Sequence, residues 1–459
     1  MKKKLDWAFY KRVFGVALPM IIQNGITNFV SMLDNIMVGQ VGTVQMSGVS
    51  IVNQLLFVFN LCVFGAMSGA GIFTAQFHGA GDQRGERNTF RFKVLVAIVL
   101  SAVGIGALFS FSEGLIGLYL EGDRGTQAAL DTLFYGKRYL TVMLFGLLPF
   151  AFTNAYSSTL RETGETTVPM VAGVAAVLVN LCLNYVLIFG HFGAPQLGVV
   201  GAAVATVVSR YVEMAIVAAW THRHPQKAGF IVEAYRSFAI PGTLLKQIII
   251  KGMPLLINEA LWSTGMAFMN QCYSTRGLNV VAAQNIASTI TMLCNVVFLA
   301  LGNSVGILMG QMLGAGLPEE EIRRDNKRMI RLAVNSCFVL GAVLVGLSTV
   351  FPKVYNTTEE VRAIATSLII LSAVMMPVNS YNNAMYFTLR SGGQTFITFL
   401  FDSGFTWVIC VPVAFCLSRF TAIPIVPMYA ICVGVDVLKV FVGNYMLKKG
   451  AWIRRIVIE

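Results

Sequence analysis

Long apolar runs, broken by short polar stretches, set the pattern of this chain. The runs are on the order of 20 residues, the length a helix needs to cross a hydrocarbon core. They lack the short alternating segments of a membrane barrel. Lipid offers no partner to free backbone N–H and C=O groups, so runs of this length read as helices. The breaks predict spans at 13–38, 48–75, 93–119, 139–160, 168–190 and 198–220, then at 249–273, 281–311, 329–351, 362–389, 396–418 and 425–447. The expected fold is therefore an all-α integral membrane protein with twelve transmembrane helices. They form an N-lobe (13–221) and a C-lobe (249–447), joined by a linker (222–248) and flanked by termini at 1–12 and 448–459.

The two lobes repeat one another. Pro19 and Pro254 stand 235 residues apart, and the same offset relates Gly42 to Gly277, Gly71 to Gly306, Gln76 to Gln311 and Gly79-Ala-Gly81 to Gly314-Ala-Gly316. Further on, Asn154 and Arg161-x-x-Gly164 match Asn383 and Arg390-x-x-Gly393 at an offset of 229. Each repeat holds an even number of spans, so the lobes enter the bilayer from the same side. Pseudo-symmetry about an axis along the membrane normal follows, with alternating access by rocking of one lobe on the other. Pro19 and Pro254 would kink the first helix of each lobe.

Composition sharpens this picture. Charged residues are 12% of the chain and hydrophobic ones 56%, against roughly 25% charged in a soluble domain. The net charge of +12 would fit a nucleic-acid partner, but its placement argues against one. Lys2–Lys4, Arg84, Arg87, Arg91, Lys93, the basic residues of 227–251 and 323–331, and those of 448–455 all fall on alternate connections. That is the positive-inside bias, and it predicts that both termini are cytoplasmic, facing anionic lipid headgroups. Met1-Lys-Lys-Lys leads into an apolar segment without a small-residue cleavage site, so no cleavable signal is expected. The eight cysteines lie scattered in apolar stretches without a C-x-x-C pair, which reads as buried small hydrophobes rather than zinc ligands or disulfides.

Acids at membrane depth need a reason, because burying charge in lipid is costly. Glu259 lies about ten residues into the seventh span, ~15 Å deep and near the midplane. Asp34 lies towards the outer end of the first span. Asn180 and Asn184, one turn apart on the fifth span, face the same way, and Thr206 on the sixth and Tyr139 on the fourth reach similar levels. Together they predict one polar pocket with a single carboxylate, suited to a proton or to sodium. Asn379, Asn382 and Asn383 on the tenth span and Asp402 on the eleventh are candidates for a substrate cavity, Asp402 being equally suited to capping or pairing. Asp436 with Lys439, and Arg210 with Glu213, read as mutually neutralising pairs. His78, His191, His222 and His224 read as solvated loop residues. Met and Phe residues pack helices or face lipid, and some could line a pliable cavity. No G-x-x-x-x-G-K-[ST] loop and no nucleophile–base set occurs, so neither an ATP motor nor an enzyme is predicted.

The ordered set of motifs resembles the multidrug and toxic compound extrusion (MATE) family. Its pieces are Met32-Leu-Asp-Asn-Ile-Met-Val-Gly39, Gln76-x-x-Gly-Ala-Gly81, Gln311-x-x-Gly-Ala-Gly316, Leu160-Arg-x-x-Gly164, Asn180-x-x-x-Asn184 before Leu187-Ile-Phe-Gly190, Gly201-Ala-Ala-x-Ala-Thr206, and Glu259. The resemblance spans essentially the whole chain. It implies two six-helix lobes in a V and antiport of cationic, amphipathic drugs or toxins against protons or sodium, without a further cofactor. In one branch it implies an ion site to which Asp34, Asn180 and Thr206 correspond, with sodium as one occupant. Asn184 departs there, standing where that branch has a second Asp. Another branch uses a Glu matched by Glu259, together with an Asp on the tenth helix where this chain has asparagines.

Two other transporter readings compete: a lipid-linked sugar flippase of the same superfamily, and a major facilitator, whose loop motif Gly81-Asp-Gln-Arg-Gly-Glu-Arg87 loosely resembles. The favoured expectation is a monomeric multi-pass antiporter of a bacterial-type plasma membrane. Its partners would be organic cations and lipid, not nucleic acid.

Overall fold

The computed structural model describes residues 7–120 and 126–457, apart from the side chains of Asn35 and Thr43. Lys2–Lys4, part of the predicted cytoplasmic N-terminus, therefore lie outside the described residues. No strand occurs among those described.

The long helices are α1 (Trp7–Gly39), α2 (Thr43–Ala80), α3 (Gln83–Ser110), α4 (Gln127–Glu162), α5 (Thr167–Phe189) and α6 (Val199–Arg223). They continue as α7 (Gly242–Ser274), α8 (Leu278–Gly314), α9 (Glu319–Leu347), α10 (Glu359–Ser391), α11 (Thr395–Phe420) and α12 (Ile425–Lys449). Eleven of them are long and apolar enough to cross a membrane. The other is α7, whose 33 residues include Lys246, Lys251, Asn258 and Glu259. Every predicted span finds its helix, and most helices run past the predicted ends. Apolarity marks only the stretch in hydrocarbon, whereas backbone hydrogen bonding carries a helix on into the polar headgroups. Large apolar side chains such as Phe57, Val99, Val103, Phe338 and Phe441 stay exposed along these helices, as a lipid-facing surface requires.

The chain divides into two compact units. The N-terminal unit holds Ile22–Thr74 and Gln83–Lys246. Its core runs through Val52, Phe59, Phe90, Leu140, Leu147, Leu160 and Phe230. The C-terminal unit holds Gln247 onward, Ala75–Asp82 and the described residues up to Ile21. There the first turns of α1 contribute Phe9, Val13, Val16 and Met20 to a core with Val305, Leu308, Met309 and Met312 of α8. The chain passes from one unit to the other within α1 just after Pro19, which lacks the N–H that its turn would donate.

The sequence repeat is also a repeat of backbone. Gly81 and Gly316, just past the ends of α2 and α8, have φ of +72° and +68°. Gly164 and Gly393, past α4 and α10, have +91° and +75°. These left-handed turns end helices at little cost only with glycine. Within the C-terminal unit, the end of α2 crosses the end of α8 through small residues. A Cβ on Gly79 would strike the carbonyl of Gln311, and one on Gly314 the carbonyl of Gln76. A Cβ on Gly310 would come within 2.9 Å of the Ala75 methyl. Small residues four apart on both helices let the two backbones approach this closely.

One departure from regular helix has no counterpart in the hydrophobic pattern. In α11 the segments Leu400–Gly404 and Thr406–Cys410 are π-helical. Pro412 follows at the start of the last α-helical stretch. Lacking an N–H, it cannot bond the carbonyl four residues back, so the ladder upstream has freedom to widen. Asp402 sits in the first of these wide turns.

Candidate functional site

In the N-terminal unit, α1, α5 and α6 bring together four of the predicted residues. Asn184 Nδ2 donates to Asp34 Oδ1 at 2.7 Å. Asn180, one turn earlier on α5, lies between Asp34 and Thr206 and fits them in two ways. With its Nδ2 towards Thr206, it donates to Oγ1 at 3.2 Å while Thr206 Oγ1 donates to the Ala202 carbonyl at 3.0 Å. Asn180 Oδ1 then accepts from Asn184 Nδ2 at 3.2 Å and faces the Asp34 carboxyl. Turned over, Asn180 donates from Nδ2 to Asp34 Oδ1 and Oδ2, at 3.0 and 2.9 Å, its Oδ1 accepts from Thr206 Oγ1 at 3.2 Å, and its Nδ2 faces the Asn184 amide nitrogen at 3.2 Å in place of the bond between the two amides.

These two arrangements suit different charge states of one carboxyl group. An ionised Asp34 only accepts, so it pairs with the orientation that presents Nδ2. A protonated Asp34 carries a donor and pairs with the orientation that presents Asn180 Oδ1. The set therefore offers Asp34 a partner in either charge state through one amide, the turned orientation exchanging the Asn184–Asn180 bond for two to the carboxylate. It also has the oxygens that a hard monovalent cation takes. Asn184 Oδ1 is buried and accepts no hydrogen bond from the protein. Asn180 and Asn184 are 6% and 1% exposed, so competition from bulk water is small.

Tyr139 is near this set but not in it. Its hydroxyl donates to Asn53 Oδ1 at 3.3 Å, and the charges of Arg210 and Asp34 both reach it. Arg210 and Glu213 form no close ion pair. The guanidinium instead donates to the Gly146 carbonyl at 3.2 Å and lies over the Phe150 ring at 4.9 Å. Glu213 is shared electrostatically between Arg161 and Arg210. Tertiary packing has redirected a pairing that i,i+3 spacing alone made attractive.

Glu259 belongs to the C-terminal unit, in a different setting. The field of Arg390 on α10 and that of Asp402 on α11 act on it. Beside it, Asn258 Nδ2 donates to Asp402 Oδ2 at 3.0 Å, and Asn258 Oδ1 accepts from Ser403 Oγ at 2.7 Å. Asp402 Oδ1 is 3.7 Å from Lys439 Nζ, which is also 3.4 Å from Asp436 Oδ1. The expected Asp436–Lys439 pair is thus one side of a triad. Asn382 Nδ2 donates to the Asp436 carbonyl at 3.0 Å. Asn383 packs its amide against Gly302, leaving Oδ1 without a partner. Asn379 lines a 460 Å³ cavity of this unit together with Asp436 and Lys439.

His191 and His222 are exposed and His224 half-buried, as solvated residues near the connections should be, and each ring also meets an aromatic neighbour. His222 Nε2 meets the Tyr156 hydroxyl at 3.1 Å, and its ring stacks on Tyr235. His224 stacks on Trp220 and His191 on Tyr185. Tyr235, in the 222–248 segment, has its hydroxyl pushed above the ordinary tyrosine range by burial. No cluster of three or more His, Cys, Asp or Glu side chains that could hold a metal occurs among the described residues. Asn258, whose Nδ2 also donates to the Tyr386 hydroxyl at 3.4 Å, escaped the sequence reading because a polar residue beside an acid carries no local pattern. Only the fold reveals that Asn258 faces α11 rather than solvent.

The model of the MatE family matches residues 19–186 and 254–416 of this chain. Among relatives, the probable multidrug resistance protein NorM of Thermotoga maritima is 24% identical over 453 residues, covering 98% of this chain and 94% of its own. The multidrug resistance protein PmpM of Pseudomonas aeruginosa is 25% identical over 414 residues, covering 89% of this chain and 84% of its own. Among solved structures, an outward-facing multidrug resistance MATE family transporter of the MOP superfamily superposes with a TM-score of 0.86. It is 20% identical and covers 96% of this chain and 95% of its own.

Proposed function

Because the chain belongs to the MatE (multidrug and toxic compound extrusion) family of multi-pass membrane transporters, we propose that it exports cationic, amphipathic drugs or toxins in exchange for protons or sodium. Export of several drugs is supported by the names of its relatives, which are multidrug resistance proteins. The observation that carries the ion exchange is the Asp34 set. One carboxyl group, two amides and one hydroxyl satisfy either charge state of Asp34 by turning the Asn180 amide. A carboxyl group with a partner for each of its charge states is what a coupling site needs. Glu259, in the field of Arg390, is a second exchangeable group in the C-terminal unit. The charge asymmetry of the connections supports a cytoplasmic position for both termini in a bacterial-type plasma membrane.

Alternating access then works by mutual exclusion. Substrate cation and coupling ion compete for negative charge, so arrival of one outside favours departure of the other. The test is uptake of ethidium into proteoliposomes under an imposed pH gradient or an imposed sodium gradient, one at a time. One gradient should drive uptake, and Asp34→Asn and Glu259→Gln should each abolish it. Uptake at the parent rate in both variants would refute the mechanism. Uptake of lipid-linked sugar but not of ethidium would replace drug export with lipid flipping.

A further inference from the structure

The residues after α12 are built into the C-terminal unit rather than trailing from it. Gly450 ends α12 with φ of +74° and turns the chain back. Trp452 and Ile456 are 1% and 6% exposed. Trp452 lies so close to the end of α10 that a Cβ on Gly392 would strike its carbonyl. Its Nε1 donates to the Leu447 carbonyl at 3.3 Å, and Gln394 Nε2 donates to the Ala451 carbonyl at 3.0 Å. The segment 450–457 is thus anchored to α10 and α12 of its own unit.

One neutral side chain binds α2 to this segment. Gln76 is fully buried. Its Nε2 donates to the carbonyls of Ser391 at 2.9 Å and Arg454 at 3.1 Å, and its Oε1 accepts from the Ile456 N–H at 2.8 Å. The amide nitrogen and the amide oxygen are both engaged. Such a group can leave as well as stay. In water it exchanges these bonds for others, and it carries no charge to be stranded. Gln311, its counterpart in the repeat, lies on α8, which belongs wholly to the C-terminal unit.

α2 itself is rooted twice. Its body up to Thr74 belongs to the N-terminal unit, and its tip from Ala75 to the C-terminal unit. α1 makes the same passage just after Pro19, where a helix can bend. α2 contains no proline. Thr74 Oγ1 is 3.0 Å from Thr89 Oγ1 of α3, and the next residue, Ala75, is buried against Gly310 of α8. A regular helix held on both sides of one peptide bond has no hinge there. When two units change their relation, as alternating access requires, one root of α2 has to give. The tip is the shorter root.

We propose that Gln76 and the 450–457 segment form a latch, which holds the α2 tip on the C-terminal unit in this structure and lets it go during transport. The segment stays on α10 and α12 through Trp452 and Ala451. The bonds of Gln76 to Ser391, Arg454 and Ile456 are the ones that open. Release rests on the alternating-access reading; the bonds themselves do not.

Hydrogen exchange on the purified full-length protein tests the bonds. Gln76→Ala should raise exchange in a peptide covering 452–457 about tenfold or more, since buried hydrogen bonds are lost, while the α8 stretch 300–310 keeps its protection. Unchanged exchange in 452–457, or a rise that extends through α8, overturns the latch. A reversible bridge tests release. Gln76→Cys with Arg454→Cys, the eight native cysteines being replaced, is treated with a short bis-methanethiosulfonate during ethidium uptake into proteoliposomes. Position 76 is reachable only when the tip lets go, so the bridge should form, arrest uptake, and yield to dithiothreitol with return of the unbridged rate. A bridge that never forms, or uptake at the unbridged rate with the bridge in place, overturns the proposal. Failure of the antiport reading is distinct. If neither ion gradient drives uptake in the unbridged protein, ion-driven export falls, and exchange and bridge formation still decide the latch.

Discussion

Asn184 stands one turn from Asn180, with its amide nitrogen on Asp34 and its amide oxygen unpartnered. An aspartate there would add a second negative charge within hydrogen-bond distance of the first, and the two could ionise together only around a cation. Asn184→Asp is therefore expected to raise sodium affinity about tenfold or more, read by sodium-dependent quenching or by the sodium concentration that half-saturates transport. Equal sodium dependence in parent and variant would show that this position does not touch the ion. A different residue-scale bond holds α3 to α4. Lys93 is fully buried, and its ammonium bonds Glu162, Ser158 and Thr159. Glu162→Gln strands that charge and should cost about 3–5 kcal/mol of stability. The double change Lys93→Met/Glu162→Gln removes the stranded charge and should recover most of the loss in a detergent melt. A double variant no more stable than the single one would contradict this account.

At the scale of helices, the crossing of α2 and α8 is set by backbone contact rather than by side chains. Gly79→Val or Gly314→Val would force the helices apart, because a Cβ at either position meets a carbonyl that cannot move independently of its helix. Each change should cost about 1–3 kcal/mol, visible as a lowered melting temperature, whereas Gly114→Ala, with open space around its Cβ, should not. The two glycines were legible in the sequence as a repeat at one offset, and the structure supplies the reason for it. Helix positions were legible too, since apolarity and length fix where a chain can cross lipid. What stayed hidden depends on neighbours remote in sequence. Nothing in the pattern of 395–420 marks the wide turns around Asp402, and nothing at Asn258 says that it faces that carboxylate. The Asp34 set lay between: depth along each helix predicted that Asp34, Asn180, Asn184 and Thr206 meet, but not that one amide could turn between two partners.

At the scale of the whole chain, charge predicts the orientation in the membrane, and the prediction is testable at single sites. The basic connections include Lys227 and Arg236, whose side chains are 58% and 79% exposed. The alternate connections present apolar or neutral residues: Phe192 is 89%, Leu278 87% and Val354 77% exposed. Cationic loops are retained on the cytoplasmic side, where anionic lipid and the membrane potential hold them. With the eight native cysteines replaced, Phe192→Cys, Leu278→Cys and Val354→Cys should react with a membrane-impermeant maleimide on intact cells. Lys227→Cys and Arg236→Cys should react only after the membrane is opened. The three outer sites bracket α6 through α9, so the pattern also fixes that α7 crosses despite Lys246, Lys251 and Glu259. Labelling of Phe192→Cys but not Leu278→Cys on intact cells would mean that α7 does not span. Both halves could not then enter from the same side. Labelling of all five sites from outside would remove the charge argument, and with it the cytoplasmic placement of the C-terminal basic segment at Lys448–Arg455.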